Sequence, residues 1–183
     1  MLWRMSHSRR FFCSNSLYAY VSGNPISGID PSGLADLNLF PPVVVPGQYY
    51  DANNWNDPGY YTVAGHGHQS VMLDDRPGST NDLLWANVLA QMIKKDPWWM
   101  NRPVKLGGCH TGAAWENGHA GIPFWQPYGQ MLANYLGVPV TASDEFTRWD
   151  PQLGLAGTSP GEWGPIQSPG SWQTFQPYYV LRT

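Results

Sequence analysis

The sequence predicts an α/β domain with a mostly parallel sheet flanked by helices. Three observations carry that expectation: short runs of strand formers that stop at glycine, longer segments between them with apolar residues at helical spacing, and a composition rich in Gly, Pro and Trp. Such a composition suits a loop-rich globular domain and is unlike a helical bundle or a disordered tail.

Taken in order, Tyr60 to Ala64 (YYTVA) is a run of strand formers ended by Gly65-His66-Gly67, as expected of a buried strand entering a tight turn. Asn81 to Lys95 repeats apolar residues at Leu84, Val88 and Met92, and again at Trp85, Leu89 and Ile93, which predicts an amphipathic helix. Thr80 or Asn81 is its expected cap, Lys94 and Lys95 suit its negative end, and Asp96-Pro97 stops it. Pro103 to Leu106 (PVKL) is a second strand running into Gly107-Gly108-Cys109. Pro127 to Leu136, with Pro at its start and Gly137 just past its end, is a second helix, and Val138 to Ala142 a third strand. Residues 35–54 read as a linker, Phe146 to Gly170 as Gly-, Pro- and Trp-rich irregular chain, and Phe175 to Leu181 as a candidate final strand.

Strands alternating with helices of this length imply β-α-β crossovers and parallel neighbours. The turns after YYTVA and PVKL then emerge at the same carboxyl edge, where open α/β sheets place their sites. His66 and Cys109 are therefore expected to face one crevice.

Charged residues make up only 13 % of the 183-residue chain and the formal net charge is −3. No broad basic face is available for phosphate backbones, so nucleic acid is not the expected partner. No apolar run approaches the roughly 20 residues that span a bilayer, so no membrane span is expected. Ser8-Arg9-Arg10-Phe11-Phe12 superficially resembles a twin-arginine signal, but Cys13-Ser14-Asn15-Ser16 breaks any apolar segment that would complete it. The two cysteines, Cys13 and Cys109, lie far apart and are expected as reduced thiols.

Asn15 to Leu34 reads NSLYAYVSGNPISGIDPSGL, which resembles the closing segment of Rhs and YD-repeat polymorphic toxins, with its NLYxYV…NP…DPxGL pattern. In that family a repeat shell encloses a variable toxin and is cut near the end of the DPxGL motif, here Asp30-Pro31-Ser32-Gly33-Leu34. The resemblance implies an Rhs remnant over residues 1–34 with a cleavage junction at Leu34, the linker over 35–54, and a toxin domain over 55–183. It further implies a secreted effector delivered by a type VI-like or contact-dependent apparatus to the cytoplasm of a target cell, with a cognate immunity protein as partner. It says nothing about the toxin's chemistry, because cargo varies freely behind this junction.

That chemistry is read from the shared edge. A cysteine attacks as its thiolate and needs a nearby group to take or balance the proton, plus donors for the oxyanion. His66 and Cys109 supply the first pair. The flanking glycines let the backbone approach a substrate, and the main-chain N–H groups of Gly67 and Cys109 are the expected oxyanion hole.

The order hydrophobic strand, GHG, helix, hydrophobic strand, GGCHTG resembles the caspase-like peptidases, a group that includes the clostripain-like and CHAT-type enzymes. Gly65-His66-Gly67 corresponds to the histidine motif, and Leu106-Gly107-Gly108-Cys109-His110-Thr111-Gly112 to the cysteine motif. One departure is Gly108, where several branches carry an Ala-like residue. The resemblance implies a cysteine endopeptidase that acts on a target-cell protein without a cofactor or metal. In it Cys109 is the nucleophile and His66 the general base and proton donor. His68, His110 and Asp144 are candidate substrate-lining residues.

Two rivals differ in class. His66-x-His68 with Cys109-His110 could hold a transition metal in a hydrolase or nuclease toxin, because imidazole and thiolate both ligate zinc. A non-catalytic tip that only binds an immunity protein would need neither Cys109 nor His66.

Overall fold

Along Tyr61–Ala64 and Val104–Gly107, bulky apolar residues alternate with smaller or polar ones, and a period of two sends the two sets to opposite faces of a sheet. The computed structural model describes residues 35–43, 45–80, 82–114 and 126–178, all within one compact unit, Gly33–Thr183. In chain order its elements are β1 (Leu37–Asn38), α1 (Pro46–Asn53), β2 (Tyr61–Ala64), β3 (Met72–Leu73), β4 (Leu83–Leu84), α2 (Ala86–Lys95), β5 (Val104–Gly107), α3 (Tyr128–Leu136), β6 (Val140–Ser143), β7 (Phe146–Asp150), β8 (Gly154–Ser159) and β9 (Trp172–Phe175).

The main sheet runs β1-β2-β5-β6-β9, parallel except for β9, which pairs antiparallel with β6. The chain is thus an α/β protein with a mostly parallel sheet flanked by three helices, as its alternating pattern predicts. No described helix is long and apolar enough to cross a membrane.

One face of the sheet presents Tyr61, Val63, Val104, Leu106, Val140 and Ala142 to α2 and α3. Helix α2 turns Ala86, Leu89, Ala90 and Ile93 inward, at the spacing of a single helical stripe. Helix α3 follows Pro127 and ends at Gly137, whose φ of +77° is the left-handed cap that glycine adopts without strain. A second cluster on the other face joins Ala64 to Phe40, Ala52 and Trp55, with Trp149 and Leu155 from the β7–β8 hairpin packed against it. There Gly107 has to be glycine, because a Cβ would stand 2.7 Å from Trp149 Cη2 and 2.9 Å from Trp55 Cζ3.

The structure departs from the sequence expectations in three places. Helix α2 begins at Ala86, five residues after the expected start, because Leu83–Leu84 is drawn into antiparallel pairing with Met72–Leu73. The Tyr128 hydroxyl holds that register by donating to the Leu84 carbonyl at 2.9 Å. The helical spacing of Leu84 with Val88 is thus overridden by a long-range pairing.

Residues 35–54, expected as a linker, carry β1 and α1. Polar pins replace an apolar stripe here. The Asp36 carboxylate accepts the Thr62 main-chain N–H at 2.8 Å and pairs with Arg102 at 2.5 Å, while Asn38 Nδ2 donates to the Tyr49 carbonyl at 3.0 Å and to Asn53 Oδ1 at 2.8 Å.

The segment from Phe146, expected as irregular, holds the β7–β8 hairpin, and the last described strand is Trp172–Phe175. Of the expected final strand at 175–181, only Phe175 is in a strand; residues 179–181 lie outside the described residues.

Asp74, just past β3, ties down the connection between β3 and β4. It is 4 % exposed and takes Arg76 Nε and Nη2, both at 2.7 Å. Burial pushes its carboxyl up, but the Arg76 hydrogen bonds and charge, together with the Ser79 hydroxyl, outweigh burial and hold it below the ordinary 3.8. A carboxyl depressed in the folded state contributes stability above its unfolded value and loses it as pH falls through the folded one. Asp74→Asn is therefore expected to lower urea stability at pH 7 by about 1–2 kcal/mol, Arg76 being partly exposed. Urea titrations below pH 3.8 should show the gap between variant and native narrowing; a gap independent of pH would contradict this account.

Candidate active-site cleft

The site begins with register. Ala64 pairs with Gly107 across the parallel β2–β5 ladder, so His66 and Cys109, each two residues further on, leave the same edge level with one another. The crossovers through α2 and α3 force that edge to be shared, as the alternating pattern predicts.

Each loop is then fixed by its own bonds. The His66 carbonyl accepts the Leu73 N–H at 2.9 Å and the His68 N–H donates to the Val71 carbonyl at 2.9 Å, which folds residues 66–73 into a short turn with Gly67 opposite Met72. The Phe40 ring meets the His66 imidazole edge-on at 5.0 Å.

On the other side, the fully buried Thr111 hydroxyl donates to the Gly108 carbonyl at 2.9 Å. The Gly112 N–H donates to the Ser143 carbonyl at 2.7 Å, and the Gly129 N–H to the Thr111 carbonyl at 2.8 Å. Residues 108–112 are thereby tied to β6 and α3.

The two loops touch through their backbones. A Cβ on Gly67 would lie 2.8 Å from the Gly108 carbonyl carbon and 2.9 Å from the Cys109 carbonyl oxygen. Only glycine permits this approach, and it is the approach that brings the histidine turn against the cysteine turn.

These loops border an open cleft of about 600 Å³, lined by His66, Gly67, His68, Gln69, Cys109 and His110 from the two turns, with Gln48 from α1, Phe146, Thr147 and Arg148 from β7, and Glu162. Cys109 is half-buried, its Sγ 3.5 Å from the Thr147 hydroxyl. Among the described residues, neither the Gly67 nor the Cys109 main-chain N–H donates to a main-chain carbonyl.

His110 carries a positive φ of 56°, rare outside glycine, with its N–H on the Glu145 carbonyl at 3.0 Å. Its Nδ1 sits 2.9 Å from the Asp144 carbonyl and its ring edge-on to Phe146 at 4.4 Å. A carbonyl can only accept, so Nδ1 is the donor in this contact.

Of the residues singled out in the sequence, the structure brings together His66, Gly67, His68, Cys109 and His110. Asp144 is not among the residues that line the cleft; its carbonyl faces His110 Nδ1 and its Oδ2 accepts Gln173 Nε2 at 3.1 Å. Leu34 lies outside the described residues. Among the described residues no three His, Cys, Asp or Glu side chains are grouped to hold a metal ion, so the proposed ligands His66, His68, Cys109 and His110 do not converge as a set.

The residues that sequence reasoning missed come from β7 and from Gln48 on α1. Arg148 anchors the far rim, with Nε donating to Ser159 Oγ at 2.7 Å and Nη2 to the Gly161 carbonyl at 2.7 Å and to that of Glu162. No local motif marks these residues; those of β7 reach the edge only through the hairpin's packing on Gly107.

The chain belongs to the family described as Domain of unknown function (DUF8616), whose model matches residues 35–156, a span that contains His66, Cys109 and Thr147. It is also 33 % identical over 90 residues to the uncharacterized protein YibJ of Escherichia coli (strain K12). That match takes in 49 % of this chain but only 36 % of YibJ, so the chain spans little more than a third of that relative's length. No solved structure matches.

The backbone contact at Gly67 sets a direct test. Gly67→Ala is expected to cost about 1–3 kcal/mol, because the atoms it meets are backbone and cannot rotate away. Gly47→Ala on α1, where a Cβ meets nothing within 4 Å, should be neutral or stabilising by up to about 1 kcal/mol. Urea midpoints of the two variants read the contrast; equal midpoints would mean that the turns do not touch as described.

Proposed function

We propose that this domain is the toxin of an Rhs-type effector and acts as a cysteine endopeptidase on a protein of the target cell. The observation that carries this reading is the level placement of His66 and Cys109 at one sheet edge, over a cleft large enough for a peptide segment.

In this scheme His66 takes the proton from Cys109 Sγ, and the thiolate attacks the carbonyl carbon of the scissile bond. The developing oxyanion meets the Gly67 and Cys109 N–H groups, which have no main-chain acceptor among the described residues. As the C–N bond breaks, His66 returns the proton to the leaving amine. Water, deprotonated by the same imidazole, then hydrolyses the thioester and restores the thiol.

The Asn15–Leu34 pattern supports delivery within an Rhs shell cut at Leu34, with the shell, its secretion apparatus and a cognate immunity protein as partners, and the target cell's cytoplasm as the place of action. A second reading, a tip that only binds an immunity protein, draws on Trp163, which is 91 % exposed next to the cleft residue Glu162. An exposed tryptophan of this kind is typical of a docking anchor.

Expression of residues 35–183 in a bacterial cytoplasm separates the two. The endopeptidase reading expects growth arrest with the native sequence and unimpaired growth with Cys109→Ala or His66→Ala at equal soluble levels. Arrest by all three proteins would exclude thiol catalysis, whereas unimpaired growth with all three at equal soluble levels would favour the binding reading.

A further inference from the structure

Thr147 is 6 % exposed on β7, and its hydroxyl makes two contacts, both long. It donates to the Gly107 carbonyl at 3.4 Å and lies 3.5 Å from Cys109 Sγ. A hydroxyl this buried ordinarily closes a hydrogen bond of about 2.7–2.8 Å to an oxygen acceptor. Here its proton is held only weakly by a neutral carbonyl, with the cysteine sulfur as the other neighbour within reach.

The fold places it there deliberately. Strand β6 ends at Ser143, whose Oγ accepts the Glu145 N–H at 3.0 Å and turns the chain straight back into β7. Trp149, two residues after Thr147, then fills the space left by the missing Cβ of Gly107. Threonine's branched Cβ restricts χ1, so the hydroxyl does not swing freely away from the sulfur.

We propose that Thr147 is a third member of the Cys109 site, its hydroxyl turning its proton from the Gly107 carbonyl to Sγ when the thiol ionises and so holding the thiolate ready. The balance is simple: the thiol proton passes to the His66 imidazole, the sulfur gains the negative charge, and Thr147 keeps its own proton while exchanging one acceptor for another. A hydrogen bond to an ionised acceptor is shorter and roughly twice as strong as one to a neutral group, so the exchange favours the thiolate. The inference rests on Cys109 being the nucleophile of the proposed peptidase.

The titratable and charged groups that line the cleft together with Cys109 are His66 and His68 from the turn after β2, His110, Arg148 on β7, and Glu162 after β8. All stay in place when Thr147 alone is changed. Valine has the same shape without the hydroxyl, alanine removes hydroxyl and methyl together, and serine keeps only the hydroxyl.

The test measures alkylation of Cys109 by iodoacetamide in the full chain across pH, with peptide mass mapping to read Cys109 separately from Cys13. Thr147→Val and Thr147→Ala are expected to move the rate profile to higher pH and to slow the reaction about tenfold at neutral pH. Thr147→Ser should stay close to native. A native-like profile in a folded Val or Ala variant, or a Ser variant that behaves like Val, would overturn the proposal; if valine does not fold, alanine decides.

Because alkylation needs no peptide substrate, the two readings fail separately. A Thr147 effect in a chain that cleaves nothing counts against the peptidase reading alone. A native-like Thr147→Val profile in a chain that does cleave counts against Thr147 alone.

Discussion

Everything at the cleft depends on one constraint, the in-register parallel pairing of β2 with β5 from Tyr61–Val104 to Ala64–Gly107. A slip of one residue would turn the slipped strand's apolar residues, Val63 in β2 or Leu106 in β5, from the α2–α3 core to the opposite face, and would also leave His66 and Cys109 out of step. The burial that holds the register is thus the burial that aligns the site. Val63, Val104 and Leu106 are each fully buried in that core, so stability and site geometry rest on the same few side chains.

The opposite face is built to let backbones meet. Gly107 gives its Cβ space to Trp149 and Trp55, and Gly67 gives its own to the Gly108–Cys109 backbone. The first absence seats the β7–β8 hairpin and carries Thr147 to the sulfur; the second presses the histidine turn against the cysteine turn. Polar ties then stiffen the edge, from the Thr111 hydroxyl on Gly108 to the His110 ring on the Asp144 carbonyl. The positive φ of His110 is held by these neighbours, as strained residues at functional sites commonly are.

How much of this could be read from the chain follows from the range of the interactions. Strands β2 and β5, all of α2 though not its start, and α3 with its Gly137 cap announce themselves through local spacing and punctuation, and from their alternation the common edge of His66 and Cys109 can be deduced. Strand β4 cannot be found this way, because Leu84 fits a helical stripe equally well and only pairing with Met72 decides the matter. Strand β1 is two residues long and depends on Asp36 reaching Thr62 and Arg102, partners 26 and 66 residues away. Thr147 and Arg148 sit in a Gly- and Trp-rich stretch with no motif, and they gain meaning only from the hairpin's packing on Gly107.

Under the proposed function, Cys109, served by His66, cuts peptide bonds. The most direct test maps protein amino termini in cells expressing residues 35–183, native against Cys109→Ala. Endopeptidase activity should give a small set of new internal amino termini with the native chain, all missing with the variant. An identical set in both, or none from a soluble native chain that still arrests growth, would contradict it.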